Sequence, residues 1–193
     1  MKTFFIVPGF KQGPKSKSFQ WLKVYLTKKG FRVVIVPITW DRKVMSDHVA
    51  ELVSAYAKEK SNVNYILGFS YGAVATFVAA NELKPKKIFL CSLSPDFKED
   101  LTVMKPWILR YIGKNRVADL KNRSGREIAK ALKVPSILFY GSVEGKQYPQ
   151  LIKRSEETVK LARNSKLVVV KGAPHAIDHL EYQKVLKAEL SRI

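Results

Sequence analysis

The strongest chemical signal in this chain is Gly68-Phe69-Ser70-Tyr71-Gly72, a Gly-x-Ser-x-Gly pentapeptide. The run before it, Val63-Asn64-Tyr65-Ile66-Leu67, is short and rich in β-formers. The run after it, Ala73 to Leu83, is alanine-rich and helix-like. A serine between such a strand and such a helix sits on a sharp turn that presents its Oγ at the carboxyl end of the strand. The turn strains the backbone at the serine. Side chains two residues before and two after it would collide with each other or with neighbouring backbone, so both positions favour glycine. The chemistry this suits is attack on a carbonyl carbon, with the Tyr71 N–H directed at the oxyanion that develops.

A serine hydroxyl is a weak nucleophile without a base. The chain offers His48, His175 and His179. His175 follows the apolar run Lys166–Val170 through Lys171-Gly172-Ala173-Pro174, and is the expected base. His179 lies four residues later and is the alternative. His48 opens a middle helix and reads as a surface or packing residue. The imidazole also needs a carboxylate to hold its tautomer and to stabilise the imidazolium. Glu144, in Gly141-Ser142-Val143-Glu144-Gly145, belongs to the segment directly before the histidine strand and is the first choice. Asp96, in Ser92-Leu93-Ser94-Pro95-Asp96, is the second. Pro8-Gly9-Phe10 follows the first apolar run. It would bring a second oxyanion donor, the Phe10 backbone N–H, with Gly9 allowing close approach.

The elements that must position these groups alternate. Strands are predicted at Thr3–Val7, Phe31–Pro37, Val63–Leu67, Lys87–Cys91, Val134–Tyr140 and Lys166–Val170. Helices are predicted at Ser16–Lys29, Ser46–Lys60, Tyr71–Leu83, Tyr148–Ala162 and Ile177–Ile193, with one or two more in the irregular segment 95–131. On the first helix Phe19, Leu22, Val24 and Leu26 are apolar. Most of the strands are continuous apolar runs, as expected of strands buried on both faces of a parallel sheet. The fold class is therefore α/β: a three-layer α/β/α sandwich around a mainly parallel sheet of about six strands. Every candidate residue follows a strand, on the edge where such sheets bind ligands.

The length of 193 residues fits one domain spanning 1–193, with 46% hydrophobic residues. No repeat or linker interrupts it. The N-terminal Met1-Lys2-Thr3-Phe4-Phe5-Ile6-Val7-Pro8-Gly9 reads as a strand rather than a secretion signal, because its apolar core is short and broken by Pro8-Gly9. No run reaches membrane-span length. A single cysteine, Cys91, fits a reducing compartment and a buried packing role, so a cytoplasmic location is expected. No metal site is expected.

The formal net charge is +19, from 35 basic and 16 acidic residues. The basic residues are scattered, without a consecutive block and without a nucleic-acid recognition module. Solvated faces and non-specific polyanion binding at low salt are expected rather than a specific nucleic-acid partner.

With Ser70, an acid at 144 or 96, and His175 in that order, the chain resembles the α/β-hydrolases over essentially its whole length. It is most similar to the compact, cap-poor serine hydrolases of the retinoblastoma-binding-protein-9 and YdeN-like group. That resemblance implies a minimal α/β-hydrolase fold and cofactor-free acyl transfer through an acyl-enzyme on Ser70. The implied substrate is a small-molecule ester or thioester. Three local departures stand out: Pro8-Gly9 where His-Gly is usual, Glu144 where an aspartate is usual, and Pro174-His175 where Gly-His is usual.

Segment 95–131 would be at most a small helical cap. Phe97, Leu101, Val103, Met104, Trp107, Ile108, Leu109, Tyr111 and Ile112 are its apolar residues, and Trp107, Ile108 and Tyr111 are the candidate pocket residues. An ordinary packing helix is the other reading of this segment. A catalytically silent hydrolase-fold scaffold and a basic polyanion-binding protein are the alternatives to an enzyme.

Overall fold

The computed structural model describes residues 1–193 throughout. Six strands, β1 (Lys2–Val7), β2 (Phe31–Ile35), β3 (Val63–Phe69), β4 (Lys87–Cys91), β5 (Ser136–Gly141) and β6 (Ser165–Val170), form one sheet. It is parallel throughout, in the order β2-β1-β3-β4-β5-β6. The helices are α1 (Gln20–Lys28), α2 (Met45–Glu59), α3 (Tyr71–Leu83), α4 (Pro106–Ile112), α5 (Lys114–Lys121), α6 (Gly125–Ala131), α7 (Ser142–Gln147), α8 (Pro149–Leu161) and α9 (Leu180–Leu190). Short 3-10 helices cover Lys17–Phe19 and Lys98–Val103.

Successive side chains of a strand point to opposite faces, and that alternation divides the interior in two. Phe4, Ile6, Tyr65, Leu67, Phe89, Ile137 and Phe139 pack against Leu22 and Leu26 of α1 and against Tyr182, Leu186 and Leu190 of α9. Phe5, Val7, Ile66, Ile88, Leu90 and Leu138 pack on the other face, against Leu52 and Tyr56 of α2, Val74 and Phe77 of α3 and Ala129 of α6. The result is the expected three-layer α/β/α sandwich. Helix α3 is buried over most of its surface, which is why its sequence is small and apolar on every side.

Several boundaries differ from the sequence expectation for local reasons. β2 ends at Ile35, and β2 and β6 are only half-buried because they are the sheet edges. Val24 points outward from α1, whose buried residues are Leu22 and Leu26. The last helix starts at Leu180 rather than Ile177, with His179 as its N-cap. Glu144 lies in a helix of its own, α7, and not in an open loop. Segment 95–131 holds three α-helices and a 3-10 helix, more structure than its pattern suggests.

Strand order reverses at β1, which has β2 on one side and β3 on the other. The connections leaving β1 and β3 therefore part, and a crevice opens between them at the carboxyl edge. Pro8-Gly9-Phe10 and Ser70 flank it.

Candidate active site

The turn at Ser70 has φ 56° and ψ −120°, a region that a residue with a Cβ occupies only when its surroundings force it. The forcing contacts are visible. The Ser70 N–H donates to the Cys91 carbonyl at 2.9 Å, and the Ser70 carbonyl accepts from Ala73 at the start of α3 at 2.9 Å. A Cβ on Gly68 would overlap the Gly72 carbonyl oxygen, and one on Gly72 would overlap the carbonyl oxygens of Val7 and Pro8. Both glycines are thus fixed by backbone that cannot move aside. Gly72→Ala is expected to cost about 3 kcal/mol of stability, read as a lowered denaturant midpoint at unchanged slope.

His175 is reached from β6 through the turn that contains Pro174. Its Nε2 lies 3.1 Å from Ser70 Oγ, and its Nδ1 lies 2.9 Å from Glu144 Oε1. The ring is held between Phe69, centroid 4.9 Å away, and Tyr148, centroid 6.2 Å away and edge-on. Glu144 is fully buried. Its second oxygen, Oε2, accepts the Gly141 N–H at 3.0 Å and the Ser92 hydroxyl at 2.9 Å. Ser92 Oγ is also 2.9 Å from the Tyr182 hydroxyl. Since Ser92 has one proton and gives it to the carboxylate, Tyr182 must be the donor in that second bond. These donors converge on a carboxylate that is cut off from water and hold it in one orientation.

The loop with His175 and the start of α7 hold each other. The N–H groups of Val143 and Glu144 donate to the Ala173 carbonyl at 3.1 and 3.3 Å, and the Gly172 N–H donates to Ser142 Oγ at 2.9 Å. A Cβ on Gly141 would overlap that same Ala173 carbonyl oxygen, so the close approach needs glycine. Base and carboxylate are therefore placed by one shared piece of backbone.

Asp96 is elsewhere. It is buried, and its carboxylate accepts from Arg123 Nη2 at 3.2 Å. Arg123 also pairs with Asp119, which in turn accepts from the Met45 N–H and the Ser46 hydroxyl. Burial pushes the Asp96 carboxyl up to about 6, while the Arg123 guanidinium pulls against it. Both ring nitrogens of His175 are committed to Ser70 and Glu144, which leaves no position on the imidazole for Asp96. His179 accepts from the Glu181 N–H as a helix cap. His48 is buried against Trp40, with ring centroids 4.6 Å apart, and desolvation lowers its pKa. His48 is thus a packing residue and not a surface one.

Phe10 follows β1 beside the elbow. Its ring lies 5.7 Å from Tyr71 and 5.7 Å from Trp40, and the Arg116 guanidinium stacks 5.3 Å from its centre. The Phe10 N–H has no acceptor within the protein. Tyr71 is the first residue of α3, so its N–H has no intrahelical acceptor either. The Gly9 N–H instead donates to Gln12 Oε1 at 3.1 Å, and a Cβ on Gly9 would crowd that oxygen and the Ser70 Cβ.

A cleft of about 640 Å³ opens above Ser70 and His175. Ile108 lines it as expected, but Trp107 and Tyr111 do not. Those two are four residues apart on α4, share its outer side, and face solvent at 58% and 74% exposure. Phe97, counted with the cap residues, is buried under Arg154 and against Phe77. The apolar lining comes instead from Val103, Met104, Tyr148 and Leu151. Ser94 also lines the cleft, with its Oγ 3.3 Å from Ser70 Oγ. Sequence reasoning missed Ser92, Ser94, Tyr148, Leu151 and Tyr182. Only the Ser-Leu-Ser run after β4 carried a local hint.

No family model and no curated sequence matches the chain. Solved structures do. Est1E from Butyrivibrio proteoclasticus superposes with a TM-score of 0.78 at 16% identity, over 99% of this chain and 86% of that one. α/β-Hydrolase domain-containing protein 10 from mouse gives 0.81 at 10% identity, over 98% and 88%. An esterase from Pyrococcus furiosus gives 0.72 at 16% identity, over 99% and 80%. Identity this low speaks for the backbone arrangement alone, and together with the parallel sheet and its helical layers it establishes that this chain has the α/β-hydrolase fold.

Proposed function

We propose that this chain is a serine hydrolase that cleaves small to medium carboxylic esters or thioesters through an acyl-enzyme on Ser70. The observation that carries the reading is the unbroken hydrogen-bonded line from buried Glu144 through His175 to Ser70 at a strained turn. The esterases among the structural neighbours support it at the level of fold.

Glu144 accepts a hydrogen bond from the Nδ1–H of His175 and so fixes the tautomer in which Nε2 has a lone pair facing Ser70. His175 takes the Ser70 proton as Oγ bonds to the substrate carbonyl carbon, and the oxyanion is met by the N–H groups of Phe10 and Tyr71. The imidazolium then protonates the leaving alkoxide or thiolate. Water enters, gives a proton to His175 and attacks the acyl carbon. Collapse of that second tetrahedral species releases the acid and returns the proton to Ser70. No step calls for a cofactor. The 3-10 helix Lys98–Val103 and α4 act as a small cap over the acyl group, with Met104 and Ile108 opposite Tyr148 and Leu151.

The test is a p-nitrophenyl ester series from acetate to decanoate, together with labelling by a fluorophosphonate probe and mass spectrometry of the labelled peptide. Turnover and a single label on Ser70 are expected. Absence of both removes the hydrolase reading and leaves a binding or scaffold role. Within the series, Ile108→Trp should lower kcat/KM for decanoate by about tenfold and leave acetate within about twofold, since bulk at a cleft wall discriminates by chain length.

A further inference from the structure

Helix α4 is inconsistent with its own surroundings. Its sequence, Pro-Trp-Ile-Leu-Arg-Tyr-Ile, is apolar apart from Arg110, yet Ile108, Leu109 and Ile112 are only half-buried and the other residues are exposed. An apolar helix side is expected to pack against something, and a helix of seven residues gains little stability where it does not. Trp107 and Tyr111 stand out at 58% and 74% exposure, with Val103, just before the helix, at 45%. Around them Lys105, Arg110 and Lys114 are all exposed. None of the three forms a salt bridge. No acidic residue occurs between Asp100 and Asp119.

We propose that this face docks on an anionic lipid surface. An indole and a phenol with solvent-facing edges, set among unpaired cations, match the layered chemistry of a bilayer interface. The rings sit at headgroup depth, and the ammonium and guanidinium groups meet the phosphates. Charge argues against a second copy of this chain as the occupant. Two molecules of net charge +19 would bring the same unpaired basic rim against itself. The docking does not depend on catalysis. Its consequence rests on the proposed hydrolase reading: Met104, Lys105 and Ile108 also line the cleft above Ser70, so a docked α4 brings the cleft wall next to the bilayer and favours acyl substrates that partition into it.

The full chain is tested at physiological salt by co-sedimentation with two kinds of vesicle: phosphatidylcholine alone, and phosphatidylcholine with about one-third phosphatidylglycerol. Binding to the anionic vesicles only is expected, with a blue shift of tryptophan emission that Trp107→Phe removes. The pair Trp107→Ala/Tyr111→Ala should weaken partitioning by about tenfold, and Lys105→Gln/Arg110→Gln/Lys114→Gln by at least as much. A control triple on the exposed side of α1, Lys23→Gln/Val24→Ala/Lys28→Gln, should stay within about twofold of wild type. Thermal midpoints verify that each variant is folded. Ser70→Ala should bind like wild type, which separates this proposal from the fate of the hydrolase reading. Failure to bind anionic vesicles overturns it. So does an equal loss in the α1 control, which would reduce the effect to bulk charge. A concentration-dependent dimer that Trp107→Ala dissolves would assign the face to a second copy.

Discussion

Ser70→Ala is expected to lower kcat/KM on a p-nitrophenyl ester by roughly 10⁵-fold or more, with KM little changed, because in the proposed mechanism the step it removes is bond formation and not binding. His175→Ala falls to a similar level, and the double variant falls no further. The two side chains act as one unit across 3.1 Å: the serine is unreactive without a base, and the base has nothing to activate without the serine. Residual rate above water would come from the cleft and the Phe10 and Tyr71 N–H groups, which neither substitution touches. The check is steady-state kinetics on each variant, with fluorophosphonate labelling as a second readout. Near-normal turnover in Ser70→Ala would discard the mechanism outright.

Glu144→Gln and Asp96→Asn separate the two carboxylates that follow strands at this edge. Glu144→Gln should cost about 10⁴-fold in kcat with the fold intact. In the native site Oε2 accepts two donors, Gly141 N–H and Ser92 O–H. A glutamine must keep its carbonyl oxygen there, which turns its NH₂ towards His175 Nδ1. That amide can only donate, so the imidazole is driven to the tautomer with its proton on Nε2, facing Ser70, where no proton can be accepted. Asp96→Asn behaves differently. It weakens a buried charge pair with Arg123, so it should lower stability by about 3 kcal/mol while kcat stays within about tenfold. Thermal unfolding and kcat measured side by side read both effects. The reverse pattern, with turnover lost in Asp96→Asn and retained in Glu144→Gln, would move the acid to Asp96.

The further substitutions, at Gly72, at Ile108 and on the α4 face, probe the scaffold and the surroundings of these groups. Those at Ile108 and on the α4 face should leave the Glu144–His175–Ser70 line in place, whereas Gly72→Ala must displace the turn that carries Ser70.

The sequence by itself determined what local pattern can encode. Gly68, Ser70 and Gly72 between a β-rich run and an alanine-rich run specify a strained turn: at Gly68 the excluding backbone is the turn's own, at Gly72 and Ala73, whereas at Gly72 it is the distant Val7 and Pro8 carbonyls. The alternation of strands and helices specified a parallel sheet with its candidate residues at one edge. His175 stood out because a single loop separates it from a strand. Tertiary structure decided what depends on segments distant in the chain. Which carboxylate meets His175 is settled by Gly141 packing against the Ala173 carbonyl, a contact between β5 and the β6 loop that no spacing rule expresses. The support of Glu144 by Ser92 and Tyr182 joins residues 52 and 90 positions apart. The cleft wall was misjudged for the same reason. Trp107 and Tyr111 were as apolar as Ile108, but a helix only seven residues long presents one side to the cleft, and its neighbours, not its composition, choose which side that is.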